Sequence, residues 1–211
     1  MKNMKAVVFD FDGTLVDTEA AVYHATKDYF EKNYNYPFTI KTYQYFVGRN
    51  LQWLNSYTQK HLLPHFELEP FVQYVKQWKE NNYHHIPMRP GALELIKRAK
   101  QHNLKLAIAT SSTRDDIDVL LEKYQLLPYF DAIATADQVK ELKPHPDLYL
   151  LALERLNILS AEAFAIEDTP TGSLAALNAN LTTLIVTNEI TEGMQFPDSV
   201  IHKPSFANIL N

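Results

Sequence analysis

The chain has 211 residues, room for one domain with a large insertion or for two small ones, and its 46% hydrophobic and 21% charged content is that of a folded globular protein. A formal net charge of -5 speaks against a binder of nucleic acid polymers or anionic membranes, which are held chiefly by basic patches. The absence of cysteine removes disulfides, thiolate metal sites and cysteine nucleophiles, and fits a reducing cytoplasm.

Residues 1–10 carry two lysines and a short apolar run that ends in acid, without the long apolar centre and small-residue cleavage site of a signal peptide. No stretch approaches the ~18 apolar residues of a membrane span, so a soluble, cytoplasmic protein is expected. The first apolar run, residues 4–9, is followed at 104–109, 131–135, 163–166 and 182–186 by others of similar length. Short and without polar alternation, these predict strands buried on both faces. Between the first and second runs, residues 18–88 are crowded with aromatics at helical spacing and offer no convincing strand, which predicts a small helical domain inserted after the first strand. Arg89-Pro90-Gly91 marks the return, with Pro90 expected at the start of the next helix. Residues 91–102, where Ala92, Ile96 and Ala99 share a face, and residues 147–156 read as helices. Alternating strands and helices predict a parallel α/β sheet. With only five glycines there is no Gly-rich phosphate loop.

The chemistry gathers at predicted strand ends. Asp10-Phe11-Asp12-Gly13-Thr14-Leu15-Val16-Asp17 follows the first run directly, and in open parallel sheets ligands bind beyond the carboxyl ends of the strands. Asp10 and Asp12 repel one another unless a cation or a shared proton intervenes. Magnesium suits carboxylates, carbonyls and water. Glu167-Asp168 ends a second run with another acid pair, and parallel topology would bring it to the edge that carries Asp10. Lys143, in Lys143-Pro144-His145-Pro146, would supply positive charge, and Thr110 and Ser111 a hydroxyl and an amide for a phosphate oxygen. Taken alone, Thr110 reads as a helix cap, Lys143 as a solvated loop lysine and Glu167-Asp168 as acids at the start of a helix near Thr171. Their order and spacing together favour a site.

These residues resemble the motifs of the haloacid-dehalogenase-like (HAD) superfamily of phosphohydrolases, in particular its β-phosphoglucomutase-like members with a helical cap. The Asp-x-Asp-Gly-Thr motif falls at residues 10–14, the strand-end Thr at Thr110, the lysine at Lys143 and the acid pair at Glu167-Asp168. The resemblance implies a Rossmann-like α/β core, residues 1–17 and 89–211, with an all-helical cap domain, residues 18–88. It implies magnesium-dependent hydrolysis of a small phosphorylated metabolite, with Asp10 as nucleophile and Asp12 as general acid and base. Mg2+ would be held by Asp10, the Asp12 backbone carbonyl, Asp168 and, directly or through water, Glu167; Thr110, Ser111 and Lys143 would hold the phosphate. Arg49, in a cap loop with Gly48, and Trp53 one turn later would meet the substrate. No nucleic acid polymer or membrane is implied, and a monomer or weak dimer is expected.

Three positions depart from the pattern. Mutase members carry a histidine where this chain has Val22, with His24 two residues on, which favours a phosphatase over a phosphosugar mutase. Ala179-Asn180 replaces Ala-Gly after the acid-pair helix, and Asn also tolerates a left-handed conformation. The strand-end loop reads Ser111-Ser112-Thr113. A carbon–halogen hydrolase would not keep an acid at Asp12; a phospho-acceptor signalling domain is shorter and lacks the insertion; a non-catalytic binding protein would not need Asp10, Asp12, Lys143 and Asp168 intact.

Overall fold

The computed structural model describes residues 4–210. Among these, strands β1 (Ala6–Phe9), β2 (Lys105–Ala109), β3 (Ala132–Ala134), β4 (Ala163–Glu167), β5 (Thr182–Ile185) and β6 (Ile201–His202) form one parallel sheet in the order β3-β2-β1-β4-β5-β6. All five strands expected from the apolar runs are present. The sixth has no such signature, because its two residues lie exposed at the sheet edge.

The strands are more ordered in sequence than a uniform apolar run. Large and small residues alternate along them, and the period of two sends each size to its own face of the sheet. Val7, Phe9, Leu106, Ile108, Phe164 and Ile166 pack against α5 (Ala92–Gln101) and α6 (Arg114–Lys123) on one side. Ala107, Ala109, Ala163 and Ala165 lie against α7 (Asp147–Leu156) and α8 (Pro170–Asn178) on the other. Glu167 continues the small-residue series and so lands on the α7 side, where Tyr149 stands.

Helix α5 starts later than expected: Gly91, with φ 84°, is its N-cap, and Pro90 precedes the helix because the left-handed turn at Gly91 comes between them. The chain leaves several helices through left-handed asparagines. Asn35 follows α1 (Thr18–Tyr34), Asn103 follows α5, Asn157 follows α7 and Asn180, at φ 59°, follows α8. Asparagine thus does at these ends what glycine does elsewhere.

The aromatic segment is helical, as expected: α1, α2 (Ile40–Gln44), α3 (Leu51–His61) and α4 (Leu68–Asn82) lie between β1 and α5. Their core is built on Phe30, fully buried, whose ring meets Phe38 at 4.5 Å and stacks on Phe66 at 5.4 Å, with Tyr34, Tyr36 and Phe71 around it. The chain leaves and re-enters the sheet layer side by side: Val16 and Met88 form an antiparallel bridge, Asp17 N donates to Pro87 O and Arg89 N to Leu15 O. The helices also rest on the loop after β5, since Ile190 and Met194 join the aromatic cluster and Gln44 Nε2 donates to the carbonyls of Ile190 (2.7 Å) and Glu192 (3.0 Å). No helix of the described residues is long and apolar enough to cross a membrane.

Phe30→Ala would remove the ring at the centre of this cluster. A loss of about 3–5 kcal/mol is expected for such a truncation, read as a fall in the midpoint of urea denaturation.

Candidate active site

Strand order reverses at β1, which has β2 on one side and β4 on the other. Phe9 is in register with Ile108 of β2 and Ile166 of β4, so the residues that follow these strands emerge together at one edge. Asp10 N donates to Ile166 O at 2.9 Å, which fixes the first acid beside the β4 acid pair. Carboxylate oxygens of Asp10, Glu167 and Asp168 lie within 4.8 Å of one another, and all three residues are buried.

Each acid is held differently. The Lys143 ammonium sits between two of them, 2.5 Å from Asp10 Oδ1 and 2.6 Å from Glu167 Oε1. Tyr149 donates its hydroxyl to the same Glu167 oxygen at 2.6 Å, and the ammonium lies 5.1 Å from the Tyr149 ring centre. Glu167 Oε2 accepts from Asp168 N and the Thr169 hydroxyl. A Cβ at Gly172 in the first turn of α8 would collide with this carboxyl group, so the close approach requires glycine there. Asp168 receives the Thr14 hydroxyl on Oδ1 (2.9 Å) and Asn188 Nδ2 on Oδ2 (2.7 Å).

Asp12 stands apart from this cluster, half-buried. Its Oδ1 accepts from the Thr18 hydroxyl at 2.8 Å, and its Oδ2 from those of Ser112 at 2.7 Å and Thr110 at 3.1 Å. Thr110 is therefore no helix cap: Thr113 caps α6, paired reciprocally with Asp116, and Thr169 caps α8 by accepting from Gly172 N. Ser111 is exposed at the rim.

Burial, reinforced by Glu167, pushes the Asp10 carboxyl up to about 8, and burial with Asp10 and Glu167 nearby raises Asp168 well above the usual carboxylate range. Burial alone would lower the Lys143 ammonium, but Asp10 and Glu167 outweigh it and raise it above the usual lysine range, holding it charged. Fully ionised, the three buried carboxylates would face one ammonium with an excess of two negative charges, and the raised values of Asp10 and Asp168 reflect that strain. That excess and the all-oxygen donor set fit a hard divalent cation such as Mg2+.

The acids open into a cleft of about 750 Å³ between the sheet edge and the helices. Asp10, Asp12, Thr110 and Lys143 line it from the sheet edge, with Ser111 at the rim, and Arg49 and Trp53 line it from the helical side, the guanidinium 5.1 Å from the indole centre. Val22 also faces the cleft, whereas His24 is exposed; all eight histidines are exposed, with none in the acid cluster. Sequence reasoning missed Glu19, which lines the cleft, accepts from the Tyr43 hydroxyl at 3.2 Å and is pushed up to about 7 by burial and by Asp12. It also missed Ser112, Thr18, Tyr149 and Asn188. Glu19 and Thr18 follow the acid motif closely enough to be suspected, while Tyr149 and Asn188 carry no local mark.

Residues 7–186 match the model of the family described as haloacid dehalogenase-like hydrolase. The chain belongs to this family. Among haloacid dehalogenase-like relatives, YhcW of Bacillus subtilis (strain 168) is 32% identical over 204 residues, covering 92% of this chain and 89% of its own. The phosphorylated carbohydrates phosphatase of Thermotoga maritima is 33% identical over 179 residues, covering 84% and 82%. A mutant of CbbY from Rhodobacter sphaeroides, solved in complex with xylulose-(1,5)bisphosphate, is similar in fold, with a TM-score of 0.79 at 25% identity over 97% of this chain and 96% of that one. The relatives put the chain in the phosphatase group of the family.

Lys143 is the cation nearest to these acids, and removing it would leave the Asp10 and Glu167 carboxyl groups uncompensated in the interior. Without added metal, Lys143→Met is expected to lower stability by about 3 kcal/mol, measured by urea denaturation at neutral pH.

Proposed function

We propose that this hydrolase cleaves phosphate monoesters of small phosphorylated metabolites, sugar phosphates first among them, through an aspartyl phosphate on Asp10. The observation that carries the reading is the pairing of two unlike carboxylates at one sheet edge: Asp10 in a buried charged cluster, Asp12 beside it on three hydroxyls and open to the cleft.

In this reading an Asp10 oxygen attacks phosphorus as the ester bond breaks, and Asp12 gives its proton to the departing alkoxide. Asp12 then takes a proton from the water that attacks the aspartyl phosphate, which releases phosphate and restores Asp10. Lys143, Thr110 and the Ser111 amide hold the phosphate oxygens, and Lys143 offsets the charge that develops on them. Asp10, Asp168, the Asp12 carbonyl and, directly or through water, Glu167 would hold Mg2+. When bound, Mg2+ supplies neutralising charge that lets the nucleophile and the phosphate dianion approach one another.

Residues 18–88 act as a cap over a core of residues 1–17 and 89–211, excluding water while Asp10 reacts. The name of the Thermotoga relative and the bisphosphate held by the CbbY mutant support a phosphorylated sugar as substrate, and the cleft-lining Arg49 and Trp53 would meet its non-reacting end. Val22 at the cleft, where mutase members carry histidine, supports water rather than a second sugar hydroxyl as final acceptor.

The test is phosphate release from a panel of phosphate esters with and without Mg2+. Asp10→Asn should lose all turnover, and Asp12→Asn should slow it by about 10²–10⁴-fold; wild-type rates in Asp10→Asn would overturn the mechanism. Arg49→Ala should change the ranking of substrates, whereas an equal loss on every ester would remove it as a specificity residue.

A second expectation follows from the Asp10 carboxyl, raised from 3.8 to about 8 without metal. A raised folded-state value contributes stability that is full below the unfolded value and is lost as pH rises through the folded one. The metal-free protein should therefore lose stability between about pH 4 and pH 8, and Mg2+ should raise its melting temperature more at pH 8.5 than at about pH 6. Equal Mg2+-induced shifts at both would exclude Asp10 from the cation site.

A further inference from the structure

The loop after β5 touches both the acid cluster and the helical unit; Arg89 holds its start at the Val186 (2.8 Å) and Thr187 (2.7 Å) carbonyls, and Asn188 organises the turn that follows. Asn188 Nδ2 donates to Asp168 Oδ2 (2.7 Å) and to Gly13 O (3.1 Å), while Oδ1 accepts from Ile190 N and Thr191 N (both 2.9 Å) and from the Thr191 hydroxyl (3.2 Å). The amide orientation is decided by its partners: acceptors alone face the nitrogen and donors alone face the oxygen. Asn188 N also donates to Thr191 Oγ1, and Glu192 N to Asn188 O, so the turn closes on itself.

The same turn is the seat of the helical unit. Gln44 Nε2 holds the carbonyls of Ile190 and Glu192, and Ile190 is fully buried in the aromatic cluster of α1–α4. One short path therefore runs from Gln44 through the backbone of residues 188–192 to the Asn188 amide and on to Asp168. Gln44 lines neither the cleft nor the acid cluster.

We infer that Asn188 is a positioning residue for Asp168, and that the turn of residues 188–192 makes divalent-cation affinity depend on how the helical unit is seated. This rests on the magnesium site proposed above. With the helices seated, Gln44 and Ile190 fix the turn, and Asn188 holds the Asp168 carboxylate towards Asp10 and Glu167. With them lifted, the turn loses its two contacts to the helices and keeps those to the core, at Gly13 and Arg89, so the Asn188 amide holds Asp168 less firmly and the cation is bound less tightly. Linkage makes the effect reciprocal: a bound cation favours the seated helices.

The test is Mg2+ binding by isothermal titration calorimetry on the full chain, with the melting temperature of the metal-free protein measured beside it. Asn188→Ala should weaken Mg2+ binding by about 10-fold, the usual range for loss of a group that orients a metal ligand. Gln44→Ala, a half-buried substitution remote from the acids, should weaken it about threefold, with kcat at saturating Mg2+ unchanged. The double variant should bind no more weakly than Asn188→Ala alone, since both act along one path. Mg2+ affinity in Gln44→Ala within experimental error of wild type would overturn the coupling, and an unchanged affinity in Asn188→Ala would overturn the positioning role. Should Asn188→Ala fold poorly, Gln44→Ala decides alone. A wild-type protein that binds no Mg2+ would instead remove the magnesium site and this inference together.

Discussion

The Lys143 ammonium, closed in between Asp10 and Glu167, is the interaction on which the site depends. Gathering carboxylates in a protein interior is opposed both by the loss of water around each charge and by their mutual repulsion. One buried cation offsets part of that cost and leaves a negative excess that only a further cation or bound protons can relieve. The same group contacts Asp10, the proposed nucleophile, so the resting acids and the proposed reacting atom share one counter-ion. Tyr149 and the α8 N-terminus complete the arrangement from the small-residue face of the sheet.

That face explains how such a cluster fits into the fold. Alanines along β2 and β4 let α7 and α8 lie close to the sheet, and the next position of β4 on the same face is Glu167. Its carboxyl group thus ends among Tyr149, Lys143 and the first turn of α8, with no room for a side chain at Gly172. The packing rule that builds the core and the geometry of the acids are one alternation, continued by one residue beyond the hydrophobic part of the strand.

Much of this was legible in the sequence because it is local. Buried parallel strands need short apolar runs, so all five major strands could be read; β6, two exposed residues at an edge, has no hydrophobic pattern to read. The acid motif, Thr110 and Glu167-Asp168 sit at strand ends and Lys143 in the loop before α7; the structure brings Asp10, Asp12, Thr110 and Lys143 to one cleft, with Glu167 and Asp168 buried against Asp10 behind it. Pro90 misled, since a proline often opens a helix, yet Gly91 took the turn and the cap. Ser112 escaped because two serines and a threonine in a row differ only in where the backbone points them. Asn188 escaped for a deeper reason: beyond its own turn its partners are Asp168 and Gly13, from two distant segments that only the sheet brings together.

Asp12 and Asp10 show why two identical side chains two residues apart can serve unlike ends. Strand alternation would send both to one side, but the chain leaves β1 at Asp10, and Asp12 is turned onto Thr18, Thr110 and Ser112. Asp10 meets a full charge and two other acids; Asp12 meets neutral donors and the open cleft. One of those donors, Thr18, is the first residue of α1, so the helical unit contributes to the environment of Asp12 as well as sitting on the turn that contains Asn188. The insertion thus reaches Asp12 through Thr18 and Asp168 through the turn that contains Asn188. It also brings charged residues of its own, Glu19, Arg49 and Lys79, to the cleft wall that faces the acids.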